Sequence, residues 1–217
     1  MFYNFAIRHS VSDELSYTHY RVLLQLKNMN EINYYVNISI NQNLSVRQLQ
    51  NRIKSREYER LDDTTKDKLI NKTTSVVTDF IKNPIVIKNN NNKEIISEKV
   101  LQKIILEDIP SFLKELGNGF CFIGNEYKIK IGNRYNYIDL LLYNIEFNCY
   151  VVVELKVTEL KKEHIGQIEV YMNYIDKHLR KPTQDKTIGI IICKKDNKFI
   201  MEYCSDSRIL AREYSVL

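Results

Sequence analysis

Two strongly apolar runs in the second half of the chain each contain charged residues. Residues 137–143 read YIDLLLY, and residues 151–157 read VVVELKV. Short runs of this composition predict central β-strands. Because side chains at i and i+2 share one face of a strand, Glu154 and Lys156 point the same way, while the apolar residues between them fill the opposite face. Burying these charges and Asp139 costs several kcal/mol each unless they are paired or bind a metal.

Two arrangements would offset that cost. Carboxylates on neighbouring strands, with an ammonium beside them, form a hard-oxygen site of the kind that Mg²⁺ takes, with waters and a substrate phosphate completing the octahedron. Lys156 would then orient the attacking water or neutralise charge that develops on the phosphoryl group. The alternative is a structural ion pair of Lys156 with Glu154 or Asp139 inside the sheet. The spacing alone favours neither arrangement.

The flanking patterns predict a mixed α/β sandwich. A long helical pattern covers residues 95–116, with a kink or restart at Pro110, and a second helix covers residues 162–180. Period-two or apolar runs predict strands over residues 120–123, 127–131, 135–143, 150–157, 187–193, 199–203 and 209–214. Helices combined with a strand meander in one domain give a mixed sheet packed between helices.

The first part of the chain, from residue 12 to residue 82, has helical patterns only. A helix over residues 32–40 and a short turn precede a basic helix that starts after the N-cap candidate Ser45. A helix-turn-helix needs this arrangement, because its second helix presents long donors to phosphates and base edges. The alternative is an ordinary helical hairpin with a solvated charged face. The candidate phosphate-binding residues are Arg47, Arg52, Lys54 and Arg56.

Composition shifts divide the chain into a helical domain over residues 1–83, a linker over residues 84–93 and an α/β domain over residues 94–217. No apolar run approaches the ~20 residues of a membrane span, and no export signal is readable at the N-terminus. We therefore expect a cytoplasmic protein without a membrane partner. The four cysteines show no ligand spacing and are expected to be buried thiols. His164 is expected to be an exposed helix residue, and the alternative is a contact with phosphate.

The motifs in combination resemble the YhcG-like family of PDDEXK nucleases, which belongs to the PD-(D/E)xK superfamily. The α/β half resembles that family at residues 112–122 (FLKELGNGFCF), 138–143 (IDLLLY), 153–156 (VELK), 166–171 (GQIEVY) and 188–194 (IGIIICK). The first half is similar to its helix-turn-helix-like N-terminal domain at residues 15–20 (LSYTHY), 44–49 (LSVRQL) and 58–61 (YERL). The fold implied is a restriction-endonuclease-like mixed-sheet sandwich preceded by a small all-helical domain.

The resemblance implies a role for each residue of the motif. Asp139 and Glu154 hold the metal, with the carbonyl of Leu155 as a third ligand, and Lys156 assists the water. Mg²⁺ is the implied cofactor, and Mn²⁺ can substitute for it.

Three further residues are implied with it. Gln167 and Tyr171 lie one turn apart on one helix face and resemble a Q-x-x-x-Y element that closes the site or touches the scissile strand. Glu115, at the end of the long helix, matches an extra acidic metal ligand.

The implied activity is metal-dependent DNA endonuclease activity, in which water attacks the phosphodiester bond. The alternative is a catalytically silent nucleic-acid-binding or assembly subunit with the same fold. RNA remains open as a substrate and a homodimer as the assembly. Two departures from the family pattern stand out: Asn125-Glu126 replaces Arg-Gln, and the chain begins late relative to the family, so its N-terminal domain is expected to be incomplete.

Overall fold

Four helices form the first part of the chain in the computed structural model, which describes residues 15–71 and 76–217. They are α1 (Tyr17–Leu23), α2 (Met29–Asn41), α3 (Val46–Lys54) and α4 (Asp63–Asn71). The predicted cap at Ser45 is present: its Oγ accepts from the Gln48 N–H at 3.3 Å, and the Gln48 Oε1 accepts from the Ser45 N–H at 2.8 Å. This capping box sets the start of α3. The predicted helical positions 12–14 and 72–75 lie outside the described residues.

A six-stranded mixed sheet forms the core of the second part. The strands are β1 (Ile85–Ile87), β2 (Phe120–Ile131), β3 (Arg134–Asn144), β4 (Cys149–Glu159), β5 (Ile188–Lys195) and β6 (Ile209–Val216). Their order is β1-β6-β5-β4-β3-β2. Neighbours from β1 to β4 are parallel, while β4, β3 and β2 are antiparallel. The two strands with the charged interruptions, β3 and β4, are central neighbours, as the sequence predicted.

Helices cover both faces of this sheet. On one face, α5 (Glu98–Glu107) and α6 (Ile109–Leu116) enclose a cluster with Leu140, Val153 and Leu155. On the other, α7 (Lys162–His178) encloses a cluster with Val152 and Ile191. Since Glu154 and Lys156 share the strand face of Val152, they lie on the α7 side, opposite to Leu155.

The structure differs from the strands predicted for residues 94–217 in two places. Residues 120–131 form one strand rather than two, because Gly124 follows a β-bulge instead of ending the strand. Residues 199–203 were expected to form a strand, but α8 (Lys198–Glu202) begins there, capped by the Asn197 side chain. The restart predicted at Pro110 is present, because Asp108 caps α6 and Pro110 fits its first turn.

The described chain forms two compact units, one up to residue 71 and one from residue 76 onwards. The segment expected to be a linker contains β1, which pairs in parallel with β6. The asparagine run that follows β1 dominates the local composition, and it hides a three-residue apolar strand.

Among the described residues, no helix is long and apolar enough to cross a membrane. The expectation of buried thiols holds for Cys149 and Cys193, whereas Cys121 is exposed and Cys204 is half-buried. Burial raises the pKa of Cys149 to about 11 and that of Cys193 to about 12.

Candidate active site

The ladder between β3 and β4 ends beside the candidate carboxylates. Leu140 and Val153 are its last paired residues, and Asp139 and Glu154 lie at the point where the two strands separate. Beyond this point, the backbone groups of β3 and β4 that face each other are no longer paired across this ladder. They must therefore find other partners.

The Asp139 carboxylate supplies one of those partners. Its Oδ2 accepts a hydrogen bond of 2.8 Å from the backbone N–H of Leu155. Burial, and then the charges of Glu98 and Glu126, raise the pKa of Asp139, while the Leu155 N–H and the Lys156 ammonium lower it. The side chain is thus held in place by a backbone donor, while burial disfavours its charged form.

The Leu155 carbonyl faces the same opening. In an antiparallel ladder a hydrogen-bonded pair exchanges both N–H···O bonds, so the N–H and carbonyl of one residue point to the same neighbour. Since the Leu155 N–H reaches Asp139, its carbonyl also points toward the β3 side, where the pairing of β3 with β4 has ended. A backbone oxygen therefore lies on the side of the candidate carboxylates.

Glu154 and Lys156 are both buried. Their side chains are 2% and 9% exposed, and Lys156 Nζ lies 3.4 Å from Glu154 Oε2. Burial, and then the Asp139 charge, raise the pKa of Glu154 to about 8, although Lys156 and the Asp139 backbone N–H act in the opposite direction. The structural ion pair that the sequence left open is therefore present, and it does not fully stabilise the charged carboxylate.

The second carboxylate oxygen of Glu154 takes no part in the ion pair with Lys156. Within the described ranges, Glu154 Oε1 is buried without a hydrogen-bond partner. Leaving such an atom unsatisfied costs ~1–3 kcal/mol or more, and a bound cation would offset that cost.

The donor set fits a hard divalent cation. Residues 15–71 and 76–217 contain no group of three or more His, Cys, Asp or Glu side chains arranged to hold a metal ion. Two carboxylates and one backbone carbonyl do not require a third side chain, because Mg²⁺ keeps several waters and takes substrate phosphate oxygens as further ligands. Asp139, Glu154 and the Leu155 carbonyl are the residues that could hold such an ion.

Helix α5 contributes two side chains that the sequence analysis missed. Glu98, in its first turn, places Oε2 at 3.7 Å from Lys156 Nζ. Gln102 donates a hydrogen bond of 2.9 Å from Nε2 to the backbone carbonyl of Asp139. Their i, i+4 spacing puts both on one helix face. That spacing is the sequence signal by which these two residues could have been found.

Helix α7 carries the predicted pair Gln167 and Tyr171. Gln167 Nε2 donates to Tyr171 Oη at 3.1 Å. Burial raises the pKa of Tyr171, and the charges of Glu154 and Asp139 raise it further. The phenol is therefore within electrostatic reach of both carboxylates.

His164 also belongs to this region, and the expectation that it is exposed was wrong. The residue is 8% exposed, and its Nδ1 accepts from the Lys161 N–H at 3.1 Å at the start of α7. Burial, and then the Lys156 charge, lower the pKa of His164. The helical pattern placed this position among polar residues, and only the approach of α7 to the sheet buries it.

Glu115 lies apart from these groups. Its Oε1 accepts a hydrogen bond of 3.0 Å from the Val86 N–H of β1, and its Oε2 lies 3.8 Å from Lys82 Nζ. These contacts hold β1, the strand at the opposite edge of the sheet from β2. The helix carboxylate next to Lys156 is Glu98, not the sequence-predicted Glu115.

The basic residues around α3 differ in their surroundings. Arg47, Lys54 and Arg56 are exposed, although Arg56 follows the helix and lies 3.4 Å from Glu59. Arg52 contacts buried Glu57 at 3.1 Å and donates to Gln42 Oε1 at 2.6 Å. Arg52 is thus a packing residue of the helical unit, which the basic pattern did not reveal.

Two known protein families match this chain. The family described as "YhcG PDDEXK nuclease domain" matches residues 78–216, and the family described as "DUF1016 N-terminal domain" matches residues 1–60. The chain belongs to the YhcG PDDEXK nuclease family. The family assignment that the sequence implied is confirmed, and the structure shows the expected mixed sheet between helices.

One curated relative is the Escherichia coli (strain K12) protein "Putative nuclease YhcG", which is 27% identical to this chain over 203 residues. The match covers 89% of this chain and 54% of that relative, so the chain spans about half the length of the relative.

Two solved structures are also similar. One is a repair endonuclease from Pyrococcus abyssi, with 18% identity, a TM-score of 0.39, and coverage of 57% of this chain and 48% of that chain. The other is an EndoMS–dsDNA complex, with 21% identity, a TM-score of 0.38, and coverage of 59% and 48%.

Proposed function

We propose that the chain is a divalent-metal-dependent endonuclease that hydrolyses DNA phosphodiester bonds by attack of water. The observation that carries this proposal is the carboxylate pair Asp139 and Glu154 at the open end of the β3–β4 ladder, with a buried ammonium beside it. The nuclease domain description of the family agrees with that chemistry.

Each residue of the group has a role in this proposal. Asp139 and Glu154 bind the cation through carboxylate oxygens, and the Leu155 carbonyl is the third protein ligand. A bound Mg²⁺ or Mn²⁺ supplies Lewis-acid stabilisation of the phosphate and activation of a water. Lys156 Nζ orients that water and opposes the negative charge that develops on the phosphoryl oxygens.

Neighbouring helices support these residues. Gln102 holds the Asp139 backbone, and Glu98 is a second carboxylate beside the Lys156 ammonium. Because Gln167 donates to the oxygen of Tyr171, the phenol proton remains available to a phosphate oxygen of the scissile strand.

The helical unit would contribute sequence-independent DNA contacts. Arg47, Lys54 and Arg56 are exposed and would bind phosphates, whereas Arg52 holds the unit together through Glu57. We also propose that the division into a helical domain and a nuclease domain corresponds to a division between DNA binding and cleavage.

The test uses the full chain with supercoiled plasmid, single-stranded DNA and RNA, each with Mg²⁺, with Mn²⁺ and with EDTA. We expect cleavage of DNA with either metal and none with EDTA. A chain carrying both Asp139→Asn and Glu154→Gln is the control for a contaminating nuclease. Tight DNA binding without cleavage under all conditions would contradict the proposal and favour the silent binding subunit, and cleavage of RNA alone would change the substrate.

A further inference from the structure

The hairpin of β2 and β3 extends beyond the rest of the sheet. β3 pairs with β4 only from Leu140 to Asn144, whereas β2 and β3 remain paired to the turn at Gly132 and Asn133. In the described chain, residues 127–131 and 134–138 therefore form a two-stranded ribbon. The ribbon leads directly into Asp139.

The two faces of this ribbon have different surroundings. Ile129 and Ile138, 1% and 0% exposed, lie in the apolar cluster that also contains Ile168 and Met172 of α7. This inner face anchors the ribbon to the helix that carries Gln167 and Tyr171. The opposite face is held outward.

The outward face combines basic and aromatic side chains. Lys128 is paired across the strands with Tyr137, and Lys130 with Tyr135, and paired residues lie on the same face. Both lysines are exposed, and the tyrosines are 56% (Tyr135) and 51% (Tyr137) exposed. Lys128 Nζ also lies 3.9 Å from the Tyr135 ring centroid.

Cross-strand packing alone accounts for part of this arrangement. A cation–π contact at an exposed site stabilises a ribbon by ~0.5–1 kcal/mol. It does not explain why both rings remain half exposed on the same face as two ammonium groups, next to a catalytic carboxylate candidate.

We infer that the outer face of the β2–β3 ribbon binds a single-stranded segment of nucleic acid, with Lys128 and Lys130 on its phosphates and Tyr135 and Tyr137 stacked on its bases. This inference rests on the proposed function. Sequence-tolerant stacking on aromatic rings beside a basic track is how single strands are held without base-specific contacts.

The spacing of the rings decides between single and double strands. Tyr135 and Tyr137 are two residues apart on one strand, which separates them by about 7 Å. Neighbouring bases in a stacked duplex are about 3.4 Å apart, and their faces are covered by each other. Two rings at the wider spacing can each stack on a base only where the bases are splayed apart.

The test measures binding of a labelled mixed-sequence DNA oligonucleotide, single-stranded and annealed to its complement, to the full Glu154→Gln chain with Mg²⁺. Lys128→Ala/Lys130→Ala should make the salt dependence of single-strand binding shallower by about 1.4 units, given a slope of about −0.7 for each of two phosphate contacts. Tyr135→Ala/Tyr137→Ala should lower single-strand affinity about fivefold or more per ring, with a smaller loss on duplex. Tyr135→Phe/Tyr137→Phe should keep the affinity, because the ring faces remain.

Controls separate this inference from a loss of fold or of overall charge. Lys177→Ala/Lys181→Ala removes the same charge in the last turn of α7 and just after it, and should leave single-strand binding unchanged. The competing explanation is that these side chains only stabilise the ribbon. It predicts lower melting temperatures of the ribbon variants with unaltered nucleic-acid binding. If the ribbon variants bind single strands as tightly as Lys177→Ala/Lys181→Ala, the inference is overturned while the proposed nuclease function stands.

Two other outcomes also overturn it. If Tyr135→Ala/Tyr137→Ala weakens duplex and single-strand binding equally, the occupant is not a splayed single strand. If the wild-type chain neither binds nor cleaves any nucleic acid, the proposed function fails, and the inference fails with it.

Discussion

Asp139 reaches across the separating strands to the backbone N–H of Leu155, the residue between Glu154 and Lys156, at 2.8 Å. This single hydrogen bond ties the carboxylate of β3 to the motif of β4 at the position where the backbone ladder has ended. It sets the relative positions of the two carboxylates before any ligand binds. The geometry of the candidate site therefore depends on both strands.

Asp139→Asn or Glu154→Gln should reduce DNA cleavage to background while leaving DNA affinity nearly unchanged. Each substitution removes one carboxylate charge from the cation site but keeps the shape of the side chain, and the amide oxygen introduced by Asp139→Asn can still accept from the Leu155 N–H. Plasmid nicking with Mg²⁺ and filter binding with the same DNA measure the two effects. Wild-type cleavage by either variant would show that the metal is held elsewhere.

Metal-free protein should lose stability as the pH rises, and Glu154→Gln should remove that loss. The pKa of Glu154 is raised from its ordinary value of about 4.5 to about 8 in the folded state, chiefly by burial. The folded state therefore binds the proton more tightly than the unfolded state, so stability falls as the pH increases from about 4.5 to about 8. Thermal melting in EDTA across this range measures it, and identical pH profiles of the two proteins would contradict the assigned burial of the charge.

Lys156→Ala should lower cleavage by about a hundredfold or more without abolishing metal binding. Its ammonium acts on charge that develops during the reaction, and removing one such contact typically costs ~3 kcal/mol. Single-turnover kinetics gives the rate, and titration calorimetry with Mn²⁺ gives the affinity. Lys177→Ala is the control, and loss of Mn²⁺ binding in Lys156→Ala would make the lysine a scaffold for the ligands instead.

Glu98→Gln and Glu115→Gln should have opposite effects. Glu98 contacts the Lys156 ammonium, so its change should lower the cleavage rate with little effect on stability. Glu115 holds Val86 and pairs with Lys82, so its change should lower the melting temperature with little effect on the rate of the folded fraction. The reverse result would restore Glu115 as the acidic residue of the site.

Arg47→Ala/Lys54→Ala should make the salt dependence of duplex binding shallower by about one to two units, because each phosphate contact contributes a slope of about −0.9. Cleavage of saturating DNA should change little, since these residues act on binding. Arg21→Ala/Lys27→Ala removes the same charge outside α3 and serves as the control. An unchanged slope would identify α3 as a solvated face.

Arg52 should behave differently from its neighbours on α3. Its guanidinium contacts the buried Glu57 carboxylate at 3.1 Å, so Arg52→Ala removes a cation from a largely buried negative charge. We expect the free energy of unfolding to fall by ~1–3 kcal/mol, measured by urea denaturation, with Arg47→Ala as the neutral comparison. A stable Arg52→Ala chain with a shallower salt slope would return Arg52 to the phosphate-binding set.

The sequence by itself determined the two strands of the site and the presence of two carboxylates and one ammonium on them. A charge inside an apolar strand is costly wherever that strand is buried, so Asp139, Glu154 and Lys156 could be singled out without coordinates. Strand periodicity placed Glu154 and Lys156 on one face, and helical periodicity placed Gln167 and Tyr171 on another. These are local rules, and they do not depend on which elements become neighbours.

Only the tertiary structure decided which distant residues complete the group. Glu98 lies beside Lys156, Gln102 donates to the Asp139 backbone carbonyl, and His164 is buried within reach of the Lys156 charge. These neighbours come from α5 and α7, which pack against opposite faces of the sheet. Glu115 has the residue type of a metal ligand, but its carboxylate contacts β1. Arg52 has the residue type of a phosphate contact, but its guanidinium contacts Glu57. Burial and long-range contacts assign such side chains, and neither is encoded in the spacing of residues along the chain.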